Sequence, residues 1–199
     1  MPDPFFEGAD DYETGLPTLR TARLQLRPLT PADDPQIVDV FSDERSLETW
    51  FRPPLASVDQ ARAYRDTLQE GFGRRSLFIW GVFPTEEADG TLAGIGILTR
   101  WSPVHRRIDL GYYFASHYWG RGYATETARG LVDFSFGSLG CHRVEAEVVP
   151  GNDASVRVLE RAGFVREALL KERLWGDDAP QDSMLFRLLR TESQTAAAS

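Results

Sequence analysis

The chain has one cysteine, Cys141, two methionines, three histidines and, among 22 basic residues, a single lysine, Lys171. One cysteine excludes an internal disulfide framework and removes any need for an oxidising compartment. No apolar run approaches the roughly 20 residues that a membrane helix requires. The opening MPDPFFEGADDYE lacks the basic region and apolar core of a secretory signal. His105 and His117 stand isolated, and no metal-ligand spacing occurs, so no metal is expected. No Gly-Lys-Ser/Thr triplet is present, which excludes a P-loop. Gly94-Ile95-Gly96 lacks a third glycine and lies inside a strand pattern, so it is no dinucleotide fingerprint. The expectation is a soluble, cytoplasmic protein.

What is there is enough for one domain. With 199 residues, 42% of them hydrophobic and 12% aromatic, the chain can bury a sizeable core without staples. The net charge of −8 argues against nucleic-acid partners. It suits both plain solubility and attraction of a cationic substrate. Residues 1–20 read as a leader without period, 21–190 as the folded domain, and 191–199, small and polar, as a flexible tail.

The hydrophobic pattern predicts strands at 23–27, 77–83, 92–99, 107–115, 143–149, 164–174 and 182–190. It predicts helices starting at Thr30-Pro31 and at Ser57, and over 123–136 and 153–162. Asp89-Gly90 marks a hairpin turn between the second and third strands. Runs of consecutive strands imply a mixed α/β (α+β) fold whose sheet is largely antiparallel, with helices on its faces.

The most informative stretch is Tyr118-Trp119-Gly120-Arg121-Gly122-Tyr123-Ala124-Thr125-Glu126. A strand ends before it and a helix begins inside it. Two glycines allow a sharp turn and a close approach, and the amides at a helix start converge on one point where negative charge is favoured. The pattern points to a phosphate or pyrophosphate, although strand-to-helix turns also use glycine for geometry alone. Asn152-Asp153-Ala154-Ser155 then opens a second helix with Asn152 as N-cap, and Gly163 closes it.

Together these two stretches, at their spacing, resemble motifs A and B of the GNAT acetyltransferase superfamily, with Gly122 and Ala124 at the small positions of motif A. Trp119 departs from the usual Gln or Arg, but the wording is similar to that of the RimJ/RimL-type ribosomal-protein acetyltransferases. The resemblance spans about residues 23–190. It implies a GNAT fold of about seven strands and about four helices, with the fourth and fifth strands (107–115 and 143–149) splayed around acetyl-CoA. It implies that Trp119, Gly120, Arg121, Gly122, Tyr123, Ala124 and Thr125 hold the pyrophosphate. Backbone groups near Tyr113 and Phe114, together with Asn152 and Ser155, would line the pantetheine arm. Gly111 would suit a bulge in the first of the two strands.

Acetyl transfer from a thioester needs a neutral amine and a proton for the departing sulfur. Glu145 and Glu147 alternate along 143–149 and share a face. Glu147 resembles the base of related ribosomal-protein acetyltransferases, and Glu145 matches the family's His-Arg-Ile-Glu-Ala wording. A solvated polar face is the plainer reading of both. A tyrosine acid used by relatives is replaced by Leu159, which leaves Ser155 as the acid candidate. Cys141 and His142 are adjacent and point apart, so a Cys–His nucleophile is disfavoured against a buried structural cysteine. The acceptor side is expected around Leu47, Trp50, Phe51, Pro53-Pro54 and around Trp175, Asp177 and Asp178. The acceptor itself is expected to be a primary amine, a protein N-terminus of the ribosomal-protein type. The alternatives are a small amine (polyamine, amino acid or aminoglycoside) or a CoA-binding module without catalysis. Either a monomer or a homodimer fits.

Overall fold

The computed structural model describes residues 15–47, 53–73, 77–87, 90–176 and 179–197. Among them are eight strands and six α-helices. The strands are β1 (Leu19–Arg20), β2 (Leu24–Arg27), β3 (Leu77–Pro84), β4 (Gly94–Ser102), β5 (Arg107–Phe114), β6 (Arg143–Val148), β7 (Val165–Gly176) and β8 (Ala179–Leu189). The helices are α1 (Asp34–Phe41), α2 (Glu44–Leu47), α3 (Val58–Gly73), α4 (Tyr123–Gly137), α5 (Asp153–Arg161) and α6 (Arg190–Ala197). The sheet order is β1-β2-β3-β4-β5-β6-β8-β7. Every neighbouring pair is antiparallel except β5–β6. The expected mixed, largely antiparallel architecture is therefore present. The extra elements are the two-residue β1, the one-turn α2 and the closing α6, all too short or too polar to carry a periodic signal.

Local chemistry explains the element starts. Before α1, the Asp33 carboxylate accepts from the Thr30 backbone N–H at 2.7 Å and from its hydroxyl at 2.8 Å, and it pairs with Arg27. Burial pushes the Asp33 carboxyl up, but the hydrogen bonds from Arg27 and Thr30 outweigh it and hold the group below its usual range. Further along the chain, Arg65 of α3 reaches Asp34 at 2.7 Å, a buried pair that bolts α3 to α1.

The sheet separates two helical layers, and residue parity along the strands decides which layer a side chain meets. Tyr113 stacks on Phe41 of α1 with ring centroids 4.7 Å apart. Trp80 packs edge-on against Phe134 of α4 at 5.2 Å. A side chain at Gly96 would meet Thr127 and Leu131 of α4 within about 3 Å. From Gly94 to Thr99 of β4 and along the facing part of β5, odd-numbered residues thus face α1 and α3 and even-numbered ones face α4, while Phe78 of β3 reaches Phe72 at the end of α3. A cavity of about 320 Å³ between β3 and α3, bordered by Leu29, Leu68, Phe72 and Ile79, contains none of the candidate site residues.

Candidate active site

The parallel pairing of β5 with β6 lasts only three residues: Arg107–Arg143, Ile108–Val144 and Asp109–Glu145. Beyond it the strands part, each still held on its other side by β4 or β8. This is the expected splay. The Ala115 N–H donates to the Ala93 carbonyl at 3.2 Å. Alternation along that antiparallel ladder turns the backbone of Tyr113 toward β4 and the backbone of Leu110, Tyr112 and Phe114 into the gap. Of the two residues expected to offer free backbone groups, Phe114 therefore faces the opening and Tyr113 does not. The Phe114 carbonyl in turn accepts from the Trp119 indole N–H at 2.9 Å. Tyr113 contributes its side chain instead, with its hydroxyl meeting Ser46 and the Val40 carbonyl. Gly111 pairs in unbroken register with Ile97, and the bulge lies on the partner strand, between Thr99 and Ser102.

At the open end of the gap, the amides of Tyr118 and Trp119 are consumed by a tight turn over Ser116–Tyr118. Those of Gly120, Arg121, Gly122, Tyr123, Ala124 and Thr125 donate to no protein acceptor among the described residues. Gly120 and Gly122 have φ of 77° and 83°, the left-handed region that glycine enters freely, and Gly122 is the N-cap of the 15-residue α4. Six unpaired donors at the positive end of a long helix form a backbone cradle where negative charge is favoured.

Side chains fasten that cradle. The Glu126 carboxylate accepts from the Thr21 hydroxyl at 2.6 Å, from the Arg23 amide at 2.7 Å and from Arg23 Nε at 2.9 Å. Burial pushes this carboxyl up, but the hydrogen bonds from Thr21 and Arg23 win and hold it below its usual range. Arg23 also donates to the Arg121 carbonyl at 3.0 Å, and Arg121 pairs with Glu87 at 3.1 Å. Arg45 of α2 lies over the Trp119 ring at 5.4 Å.

On the α4 side of the gap stands the start of α5. Asn152 Oδ1 accepts the Ser155 N–H at 3.1 Å, as an N-cap should. The Ser155 hydroxyl has no protein partner among the described residues, while its carbonyl accepts from the Tyr112 hydroxyl at 3.2 Å. Burial pushes the Tyr112 phenol well above its ordinary value, partly offset by that hydrogen bond. Leu159 is buried.

At the closed end, on the α1–α3 face, Glu145 and Glu147 lie side by side, but they are not solvated. Glu145 is held by Arg143 at 2.6 Å and Arg107 at 2.8 Å, and Glu147 by Arg100 at 3.0 Å and Arg173 at 3.4 Å. Asp109, which sequence reasoning missed, joins them through Arg100 Nε at 2.6 Å. Burial raises the Asp109 carboxyl above its ordinary value, with Arg100 opposing. Its signal was the alternation Arg107–Asp109, which gains meaning only once β5 is registered against β6. Tyr112 was missed for the same reason.

Cys141 is fully buried and its thiol is pushed up to about 11 by burial, which suits a structural role. Pro53 and Pro54 are exposed, Leu47 packs against the core and Trp175 is 71% exposed. Trp50, Phe51, Asp89, Asp177 and Asp178 fall outside the described residues. No described helix is long and apolar enough to cross a membrane.

The comparisons agree with this geometry. Residues 23–165 match the family described as acetyltransferase (GNAT) domain. An uncharacterized N-acetyltransferase, p20 of Bacillus licheniformis, is 31% identical over 89% of this chain and 98% of its own length. The putative ribosomal N-acetyltransferase YdaF of Bacillus subtilis is 27% identical over 85% of this chain and 92% of its own. Spermidine N(1)-acetyltransferase of Escherichia coli is 26% identical over 74% of this chain and 75% of its own. Among solved structures, Mycobacterium smegmatis RimJ in complex with CoA-disulfide superposes with a TM-score of 0.77 at 25% identity, covering 92% of this chain and 93% of that one. With a free-amide cradle at one end of a splayed strand pair and carboxylates at the other, this chain belongs to the GNAT family and is an acetyl-CoA-dependent N-acetyltransferase.

Proposed function

We propose that the acceptor is the N-terminal amine of a protein, of the ribosomal-protein type, and that the strand gap is where acetyl transfer to it takes place. The cradle from Trp119 to Thr125 fits a pyrophosphate, because six of its amides are free and its glycines leave the approach open. The Phe114 N–H, Asn152 and Ser155 border the path inward from that cradle. Acetyl-CoA supplies an acyl group activated as a thioester.

The chain's own residues then have two tasks. One is to take a proton from the amine, since an alkylammonium cannot attack. Glu147 is the base we assign, because Arg100 and Arg173 both reach its Oε1 and leave Oε2 buried without a hydrogen-bond partner, whereas each Glu145 oxygen is engaged by its own arginine. Asp109 lies on the same cluster and can share the proton. The other task is to donate to the departing sulfur, for which the unpartnered Ser155 hydroxyl is placed on the opposite wall. The observation that carries the reading is the meeting of the closed end of the gap with three carboxylates, Asp109, Glu145 and Glu147, on the face opposite α4.

The likeness to a putative ribosomal N-acetyltransferase supports a protein N-terminus. A small polyamine is the second reading, favoured by the density of carboxylates and by the spermidine acetyltransferase likeness. An acetylation screen that sets peptides with free N-terminal alanine or serine against spermidine, read by mass spectrometry, separates them. Acetylation of peptides alone supports the first reading, and turnover of spermidine alone overturns it.

A further inference from the structure

Arg100 points the wrong way for its place in the chain. Even-numbered residues of β4 face α4, yet the Arg100 guanidinium lies on the opposite face, over the carboxylates. The ladder slips between Thr99 and Ser102, and Arg100 takes a left-handed φ of 52°. A bulge of this kind re-aims one side chain at a local conformational cost. Here it brings Nε to Asp109 Oδ2 at 2.6 Å and Nη2 to Glu147 Oε1 at 3.0 Å.

The Arg100 side chain is 50% exposed, while those of Asp109 and Glu147 beneath it are 6% and 12% exposed. It therefore covers the carboxylates from the solvent side. The cover is incomplete in chemical terms, because Asp109 Oδ1 and Glu147 Oε2 are buried with no hydrogen-bond partner. Arg107 stands 3.7 Å from that Asp109 oxygen, too far to donate to it. Buried acceptors of this sort are costly unless a donor reaches them. A planar guanidinium spread across two carboxylates cannot turn to all four oxygens, whereas a compact ammonium carries three donors that rotate freely.

We propose that Arg100 occupies, as a built-in stand-in, the seat of the acceptor's ammonium group, and that an incoming primary amine displaces it from Asp109 and Glu147. The inference rests on the amine-acetylation reading of this site. The rival is a purely structural arginine that neutralises two buried charges.

Arg100→Gly is the decisive variant, since glycine keeps the left-handed backbone while the whole side chain, guanidinium included, is removed. The probe is ethylammonium chloride, added to the free full-length chain during thermal melting, with sodium chloride at equal ionic strength as control. The expected result is a saturable Tm rise of about 2–4 °C in Arg100→Gly. Wild type should need about tenfold more ethylammonium for the same rise, and Arg100→Gly with Asp109→Asn should lose the rise. In turnover assays the KM for the amine should fall about tenfold in Arg100→Gly, with the KM for acetyl-CoA unchanged. Equal shifts in variant and wild type, no shift in the variant, or an amine KM that rises would overturn the proposal. Should Arg100→Gly not melt cooperatively, Arg100→Asn, which also tolerates the left-handed region, carries the same measurement. Calorimetric titration of wild type with CoA reports separately on the acetyltransferase reading, because the ethylammonium comparison needs no CoA.

Discussion

The two ends of the β5–β6 gap are built from different materials. The open end is main chain: six free amides, two left-handed glycines and a helix start, with side chains such as Glu126 and Arg23 acting as fasteners behind it. The closed end is side chain, where Asp109, Glu145 and Glu147 interlock with Arg100, Arg107, Arg143 and Arg173. A backbone cradle tolerates almost any side chain outside its glycines, so Trp119 can replace the usual polar residue there. A charge cluster tolerates little, because removing one partner leaves another buried and unpaired.

Four changes would break or sharpen that contrast. The largest effect is expected from joining Asp109→Asn to Glu147→Gln. Turnover should fall about 10²–10⁴-fold while calorimetric CoA affinity stays put; a matching loss of affinity would erase the division between the ends. Gly122→Val tests the opposite end, since a left-handed valine costs about 1–2 kcal/mol and its Cβ would lie 3.3 Å from Arg23 Nη2. CoA affinity should drop about 5–30-fold, with turnover at saturating CoA almost unchanged.

Glu126→Gln probes the fastening and should cost about 1–3 kcal/mol of stability at neutral pH, read by urea unfolding. Folding lowers the Glu126 carboxyl below its ordinary 4.5. Its stabilisation is thus full above that value and drains away as pH falls through the folded one. The variant should accordingly lose less stability than wild type on acidification from pH 6 to pH 3, and equal losses would contradict the clamp. The smallest effect belongs to Asn152→Ala, about 1 kcal/mol or a Tm drop of about 2–4 °C, from loss of the cap on α5.

Legibility in the sequence followed the same divide. Gly120, Gly122 and Asn152 could be read directly, because a turn and a helix cap are decided by a few consecutive residues. The shared face of Glu145 and Glu147 followed from strand alternation. Asp109 and Tyr112 were not readable as site residues, because their meaning depends on pairing with β6 and on contact with α5, both distant along the chain. Arg100 was hidden more deeply: alternation places it on the wrong face, and only the bulge corrects that. Gly111 drew the bulge to itself as the glycine of the neighbourhood, yet the distortion fell on an arginine one strand away.

The three-residue ladder at Arg107–Asp109 has a mechanical consequence. It is the only strand pairing among the described residues that ties β1–β5 to the block of β6, β8 and β7. The molecule therefore resembles a clasp, with two stiff plates riveted at one corner. Whatever fills the mouth of that clasp with hydrogen-bonding groups also braces the plates against each other. Slowed deuterium uptake along Leu110–Phe114 and Ala146–Val148 on ligand addition would register that bracing as added rigidity.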